Sequence, residues 1–415
     1  MRKLCVIFLF CLLIACKSQW SGIKRFGTSS GTDSFGIATD LSGNVYIAGI
    51  TTQDPDSEAE LEYSATFVIK YNSLGAKQWT KLLASSNGTA GKDITTDSSG
   101  NVYITGTTAG NLDGEKNSGG HDSFIVKYNS DGTKQWTKLL GTNDWDNGSG
   151  ISTDSSGNFY ITGFTNGNLD REANLGKPDA FVVKYNSDGA KQWTKLLGTG
   201  NPDEGKGITT DSSGNVYITG FTNGNLDGVK SPGNSDAFVV KYNSDGIKQW
   251  TKLLGTSNWD YGSGISTDSS GNVYITGETE GNLDGETNLG QSDAFVVKIN
   301  PDGAKQWTKL FGTSDPDYVR SSTTDSSGNV YIAAVTDAKN GSATLDSFLV
   351  KYNSDGTKQW TKFLDPCDYG KGIDIATDSS GNVFITGTPA SLDEQTMEGE
   401  GTFYLMKYNS DGVKQ

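Results

Sequence analysis

Gly207-Ile208-Thr209-Thr210-Asp211-Ser212-Ser213-Gly214-Asn215-Val216-Tyr217-Ile218-Thr219-Gly220 sets a β-branched run on each side of a turn built from Asp, Ser, Gly and Asn. The two runs read as an antiparallel hairpin, because Asp and Asn side chains bond their own backbone and glycine supplies φ > 0. The phrase recurs with its aspartate at Asp40, Asp97, Asp154, Asp211, Asp268, Asp325 and Asp378, spaced by 57 residues except for a last interval of 53. Beyond a longer loop follow Phe238-Val239-Val240-Lys241-Tyr242, the turn Asn243-Ser244-Asp245-Gly246, and Gln249-Trp250-Thr251-Lys252-Leu253-Leu254. No helical period interrupts these runs, so each copy is expected to form four short antiparallel strands.

Such a sheet is apolar on both faces and needs a neighbour on each side. Seven of them around an axis satisfy that requirement without a long exposed edge, which predicts an all-β, seven-bladed β-propeller. The chain stops at Gly412-Val413-Lys414-Gln415, where earlier copies continue Lys-Gln-Trp-Thr-Lys, and Gln19-Trp20-Ser21-Gly22-Ile23 supplies the missing piece. The N-terminal outer strand is therefore expected to complete the C-terminal blade. Tryptophan falls once per copy, at Trp20, Trp79, Trp136, Trp193, Trp250, Trp307 and Trp360, and is read as packing between blades. With 54 Gly against 8 Pro and 34% hydrophobic residues, the composition suits many turns between short strands.

The stretches Gly205–Gly220 and Asp236–Lys241 resemble the bacterial β-propeller repeat family known as SBBP, whose units carry a Gly-x-Gly-Ile…Asp-x-x-Gly-Asn-x-Tyr phrase and a downstream Asp-Ala-Phe-Val-x-Lys phrase. The resemblance runs from Trp20 to Gln415 and implies a fold, not an activity. Blades 1 and 7 depart most, since their loops Thr51–Ala65 and Pro389–Thr402 lack the Asn-Leu-Asp phrase found at Asn111, Asn168, Asn225 and Asn282.

Residues 1–15 read as a secretory signal: Arg2 and Lys3 precede an apolar run, Leu4 to Ala15, too short to span a bilayer. Leu13-Ile14-Ala15-Cys16 resembles the lipobox of bacterial lipoproteins, which implies cleavage before Cys16, lipidation of Cys16 with palmitate among its acyl chains, and an extracytoplasmic, outer-membrane location. Residues 16–19 would be the tether and 20–415 the propeller. Cys5 and Cys11 leave with the signal, so Cys367 stands alone and no intrachain disulfide is available.

If strands a to d run from axis to rim, the a–b and c–d turns share one face and the b–c and d–a loops the other. The tether then holds the tight-turn face toward the membrane, with Lys77, Lys134, Lys191, Lys248, Lys305, Lys358 and Lys414 around its rim, and the variable loops point away. That loop face is expected to be acidic, from Asp146, Asp203, Asp260 and Asp317 together with Asp113, Asp170, Asp227 and Asp284. A formal net charge of -15 makes nucleic acid a poor partner and leaves cationic proteins or divalent metals. Calcium is the metal that Asp144-Trp145-Asp146-Asn147-Gly148 and Asn258-Trp259-Asp260-Tyr261-Gly262 would suit, although Ser155 stands where an EF-hand would close with Glu. Turn capping by the same carboxylates is the alternative.

Catalysis finds little support. The single histidine, His121, argues against triad chemistry, and a sialidase-like site would need Arg25, Arg171 and Arg320 together. The expected function is a lipid-anchored cell-envelope scaffold that binds a protein or matrix ligand through its loop face. A periplasm-facing assembly lipoprotein and, further off, a glycan-active enzyme are the alternatives. The near-identity of the copies predicts a pseudo-symmetric, multivalent surface.

Overall fold

In the computed structural model, Trp20, residues 23–26 and residues 33–415 are described, apart from Lys177 and residues 338–344, 365–372, 388–396 and 399–402. The proposed signal, tether and lipidated Cys16, together with Cys367, lie outside the described residues. The chain is a seven-bladed β-propeller. Blade 4 shows the plan: strands a (Asp203–Thr210), b (Val216–Thr222), c (Asp236–Tyr242) and d (Lys248–Leu254) pair antiparallel in chain order. In the seventh sheet Asp374–Thr377, Val383–Gly387 and Phe403–Tyr408 are followed by Ile23–Phe26, which pairs antiparallel with the last of these through Lys24 and Leu405. Among the described residues no helix is long and apolar enough to cross a membrane.

Side chains explain why the repeat phrase reads as it does. Asp211 Oδ1 accepts from the backbone N–H groups of Ser213 and Asn215, while its Oδ2 accepts from Asn215 Nδ2 and the hydroxyl of Tyr217. One carboxylate thus caps the a–b turn and also satisfies a phenol that is otherwise fully buried. Gly214 takes φ +75°, as the turn requires.

Blades are joined at the outer strand. Trp193 rests against Gly246 of the next blade, where a Cβ would come 2.8 Å from the indole, and its Nε1 donates to Ser244 O at 3.1 Å. Lys184 donates to the same carbonyl at 2.8 Å. Trp79, Trp250 and Trp307 make the equivalent bond to Ser130, Pro301 and Ser354. Trp136 packs on Gly189, Trp360 on Gly412, and Trp20 on Gly75 of blade 1. The apolar clusters likewise lie between sheets: one joins Tyr160, Val182 and Leu197 of blade 3 to Ile218, Phe238 and Val240 of blade 4.

Around the axis the last threonine of each a strand donates to the backbone carbonyl of its counterpart in the preceding blade. The bonds run Thr96 to Thr39, Thr153 to Thr96, Thr210 to Thr153, Thr267 to Thr210, Thr324 to Thr267, Thr377 to Thr324 and Thr39 to Thr377, at 2.7–3.1 Å. The belt has no free end.

Blade 1 differs from expectation. Its stretch Thr51–Ala65 is largely strand, since Val45–Gln53 and Glu60–Tyr71 continue pairing out to Gln53 and Glu60. Asp56 at its tip bonds Lys77 at 2.8 Å and Thr80 at 3.0 Å, as Asp113 bonds Lys134 and Thr137 in blade 2.

Candidate functional site

The carboxylates assigned to an acidic loop face are placed otherwise. Asp146, Asp203, Asp260 and Asp317 are almost fully buried, and Oδ2 of each accepts from the backbone N–H of the threonine four residues earlier, at 2.6–2.7 Å for Thr142, Thr199, Thr256 and Thr313. They cap the d–a loops from inside. Asp113, Asp170, Asp227 and Asp284 ion-pair with Lys134, Lys191, Lys248 and Lys305 and bond Thr137, Thr194, Thr251 and Thr308. The b–c loop therefore folds along the outer edge of its own blade, because Leu112, Leu169, Leu226 and Leu283 beside these aspartates are drawn into the core. Four of the lysines expected around the tight-turn rim make these ion pairs, and Lys77 pairs with Asp56. Among the described residues no group of three or more His, Cys, Asp or Glu side chains is placed to hold a metal ion.

A second aspartate stands beside each capping one, at the start of strand c: Asp122, Asp179, Asp236 and Asp293. A Cβ on Gly312 would lie 2.5 Å from Asp317 Oδ2 and 3.1 Å from Asp293 Oδ1, so the two carboxyl groups flank one glycine. Burial pushes the carboxyls of both sets upward, Asp317 to about 6 with Asp293 contributing.

The asymmetric chemistry lies on the axis. Each a strand of blades 1 to 6 carries a β-bulge, seen as a register shift across Phe35, Lys92, Ser149, Lys206, Ser263 and Arg320. A bulge re-aims the inserted side chain, and all six line the central channel. Their identities alternate in blades 2 to 6: cation, serine, cation, serine, cation. The channel holds about 360 Å³ and opens into a mouth of about 550 Å³ lined by Lys92, Lys206, Arg320, Phe221, Tyr261 and Glu278.

These groups are oriented by their neighbours. Lys92 Nζ lies 4.6 Å from the Phe35 ring centroid, and Lys206 Nζ lies 5.5 Å from that of Phe221 while bonding Glu204 at 2.7 Å. The Arg320 guanidinium is 5.9 Å from the Tyr318 ring. Glu278 stands where blades 1, 2, 3, 4 and 6 carry Ile50, Thr107, Phe164, Phe221 and Val335. Burial lifts its carboxyl to about 7, and it accepts from Ser263 Oγ at 3.2 Å. One residue deeper on the a strand, Asp93 and Asp374 replace glycines such as Gly150 and Gly207. Each accepts a backbone N–H from the following blade, Ile151 at 2.8 Å and Ile37 at 2.7 Å. Burial and mutual repulsion raise Asp93 to about 8, and burial raises Asp374 to about 6.

Of the three arginines weighed for a sialidase-like site, Arg320 lines the channel, whereas Arg25 lies in the outermost part of the seventh sheet and Arg171 in a b–c loop at φ +74°. No shared carboxylate clamp forms. His121 packs against Trp145, with ring centroids 4.5 Å apart and planes tilted by 55°.

A family model described as a β-propeller repeat, SBBP, matches six segments of the chain: residues 22–55, 78–113, 135–170, 192–227, 249–284 and 306–341. The chain belongs to the SBBP family. The seventh blade is the sheet in which Ile23–Phe26 lies beside Phe403–Tyr408. Among curated proteins, the chain is 27% identical over 217 residues to an uncharacterized WD repeat-containing protein of Acanthamoeba polyphaga mimivirus, covering 42% of this chain and 15% of the relative. It is 28% identical over 193 residues to the regulatory protein FlaEY of Caulobacter vibrioides, covering 42% of this chain and 20% of that protein. The matches thus span a fifth or less of these relatives. The WD40 domain of Neurospora crassa Pan2 superposes with a TM-score of 0.48 at 7% identity, over 93% of this chain and 96% of that one.

Proposed function

We propose that this SBBP propeller is an extracytoplasmic, lipid-anchored binding protein whose receptor site is the cationic mouth of the central channel, and that the ligand is anionic. The observation that carries the reading is the bulge position. In a chain whose copies repeat one another closely, this single inward-turned position varies from Phe35 through Lys92, Ser149, Lys206 and Ser263 to Arg320. Three cations, of which Lys206 also pairs with Glu204, converge on one concavity of a chain with net charge -15, and outnumber the one carboxyl, Glu278, that lines its mouth. The anchor rests on Arg2, Lys3 and the Leu13-Ile14-Ala15-Cys16 phrase. Binding is thereby centred on one site on the axis, in place of the pseudo-symmetric acidic surface expected from the repeat.

Thermal unfolding with citrate as a polyanion, at constant ionic strength, tests the site. Citrate is expected to raise Tm for the native chain and to have no effect on the Lys92→Glu, Lys206→Glu, Arg320→Glu variant. An equal rise in both would sink the proposal. The anchor is tested separately: Cys16→Ala should release the protein from the membrane fraction and abolish labelling by palmitate.

A further inference from the structure

An aromatic path leads into the mouth through blade 5. Trp259, 40% exposed, stacks on Tyr261 with centroids 6.1 Å apart and planes at 18°. Tyr261 meets Phe221 edge-on at 5.2 Å, and over Phe221 sits Lys206. The path therefore begins with a solvent-facing indole and ends at the cations. Its other lining groups are hydroxyls, an amide and a carboxyl, those of Ser149, Ser263, Asn147 and Glu278.

The equivalent tryptophan in blade 3, Trp145, is 57% exposed but has no such continuation, since Asn147 stands in place of Tyr261 and the indole packs on His121. The two positions share sequence context and exposure and differ in what lies beyond them, so Trp145 serves as an internal control.

We propose that this trough binds an acidic oligosaccharide, with one sugar ring stacked on Trp259 and the carboxylate or sulfate of a following ring held by Lys206 and Arg320. The proposal rests on the reading of the channel mouth as an anion receptor. An acidic peptide would share the charge requirement, but the lining offers planar aromatic faces and many small hydrogen-bonding groups, and these suit rings that carry a hydroxyl on nearly every carbon. Ser149, Ser263 and Asn147 can each donate and accept, and Glu278 can accept from a sugar hydroxyl.

Calorimetry of the full chain in detergent micelles decides the question, with tetragalacturonate, maltotetraose and a tetra-aspartate peptide as probes. Tetragalacturonate is expected to bind, with maltotetraose and the peptide each weaker by about tenfold or more. Trp259→Ala and Lys206→Ala should each weaken tetragalacturonate by about tenfold, with Trp145→Ala unchanged. Tm of each variant shows that it remains folded. Peptide binding in preference to the uronate, or equal losses at Trp145 and Trp259, would overturn the saccharide while leaving the anion receptor standing. Failure of citrate, uronate and peptide alike would overturn both.

Discussion

At the scale of single residues, the aspartate of the repeated phrase does two jobs that no other side chain can combine. It takes two backbone N–H bonds on one oxygen and two side-chain bonds on the other, one of them from a fully buried tyrosine. Asp211→Ala should therefore cost about 2–4 kcal/mol in chemical unfolding, since the tyrosine hydroxyl is left buried without its acceptor. Phe384 replaces the tyrosine in blade 7, so Asp378→Ala removes fewer bonds and should cost less. The motif and its turn were legible from Asp, Asn and Gly alone. The bulge residues were not. Phe35, Lys92, Ser149, Lys206, Ser263 and Arg320 are visible as the variable letter five places before each aspartate, but simple strand alternation does not reveal that an inserted residue turns inward to the axis. Comparing the copies column by column would have found them.

At the scale of strands and loops, the d–a connection is held by two buried carboxyls around a glycine that tolerates no side chain. A Cβ on Gly255 would lie 2.0 Å from Asp236 Oδ1, so Gly255→Ala should lower Tm more than Gly228→Ala, where a Cβ meets open space and the only cost is the φ of +77°. These carboxyls also set a pH dependence. Asp317 has a folded value of about 6 against an unfolded value of about 3.9, so the native state holds its proton more tightly. Stability then falls as pH rises from about 4 through about 6, and the domain should melt higher near pH 5 than near pH 7.5. Asp317→Asn should flatten that profile, and a profile unchanged by the substitution would show that other groups dominate. The sequence placed these aspartates in loops and left open whether they cap or coordinate, because burial depends on Leu112 and its counterparts pulling the neighbouring loop inward. Asp56 could have been read, since it follows Asp40 at the spacing by which Asp113 follows Asp97.

At the scale of the whole molecule, seven sheets are joined by tryptophan and lysine contacts at the rim and by the threonine belt at the axis. The blade count and strand order followed from the period, and the split between Trp20 and Lys414 pointed to the pairing of Ile23–Phe26 with Phe403–Tyr408. The charge of the loop face did not follow, because a count of aspartates says nothing about which are inside or already paired. Removing residues 1–26 should expose the outer edge of Phe403–Tyr408, unseat the indole from Gly75, and lower both Tm and the monomer fraction in analytical ultracentrifugation. Deletion without effect on either would show that the first strand is dispensable.

The belt that bonds Thr39 to Thr377 has a bearing on synthesis. Ile23–Phe26 emerges first yet has no antiparallel partner until Phe403–Tyr408 has been made, so a growing or prematurely ended chain carries two unsatisfied strand edges, one at each end. Such a fragment can satisfy both by donating to and receiving from other fragments, head to tail, and a non-closing exchange of this kind grows into a filament instead of a particle. In a chain of near-identical units, the last strand made is the one that leaves no edge to share.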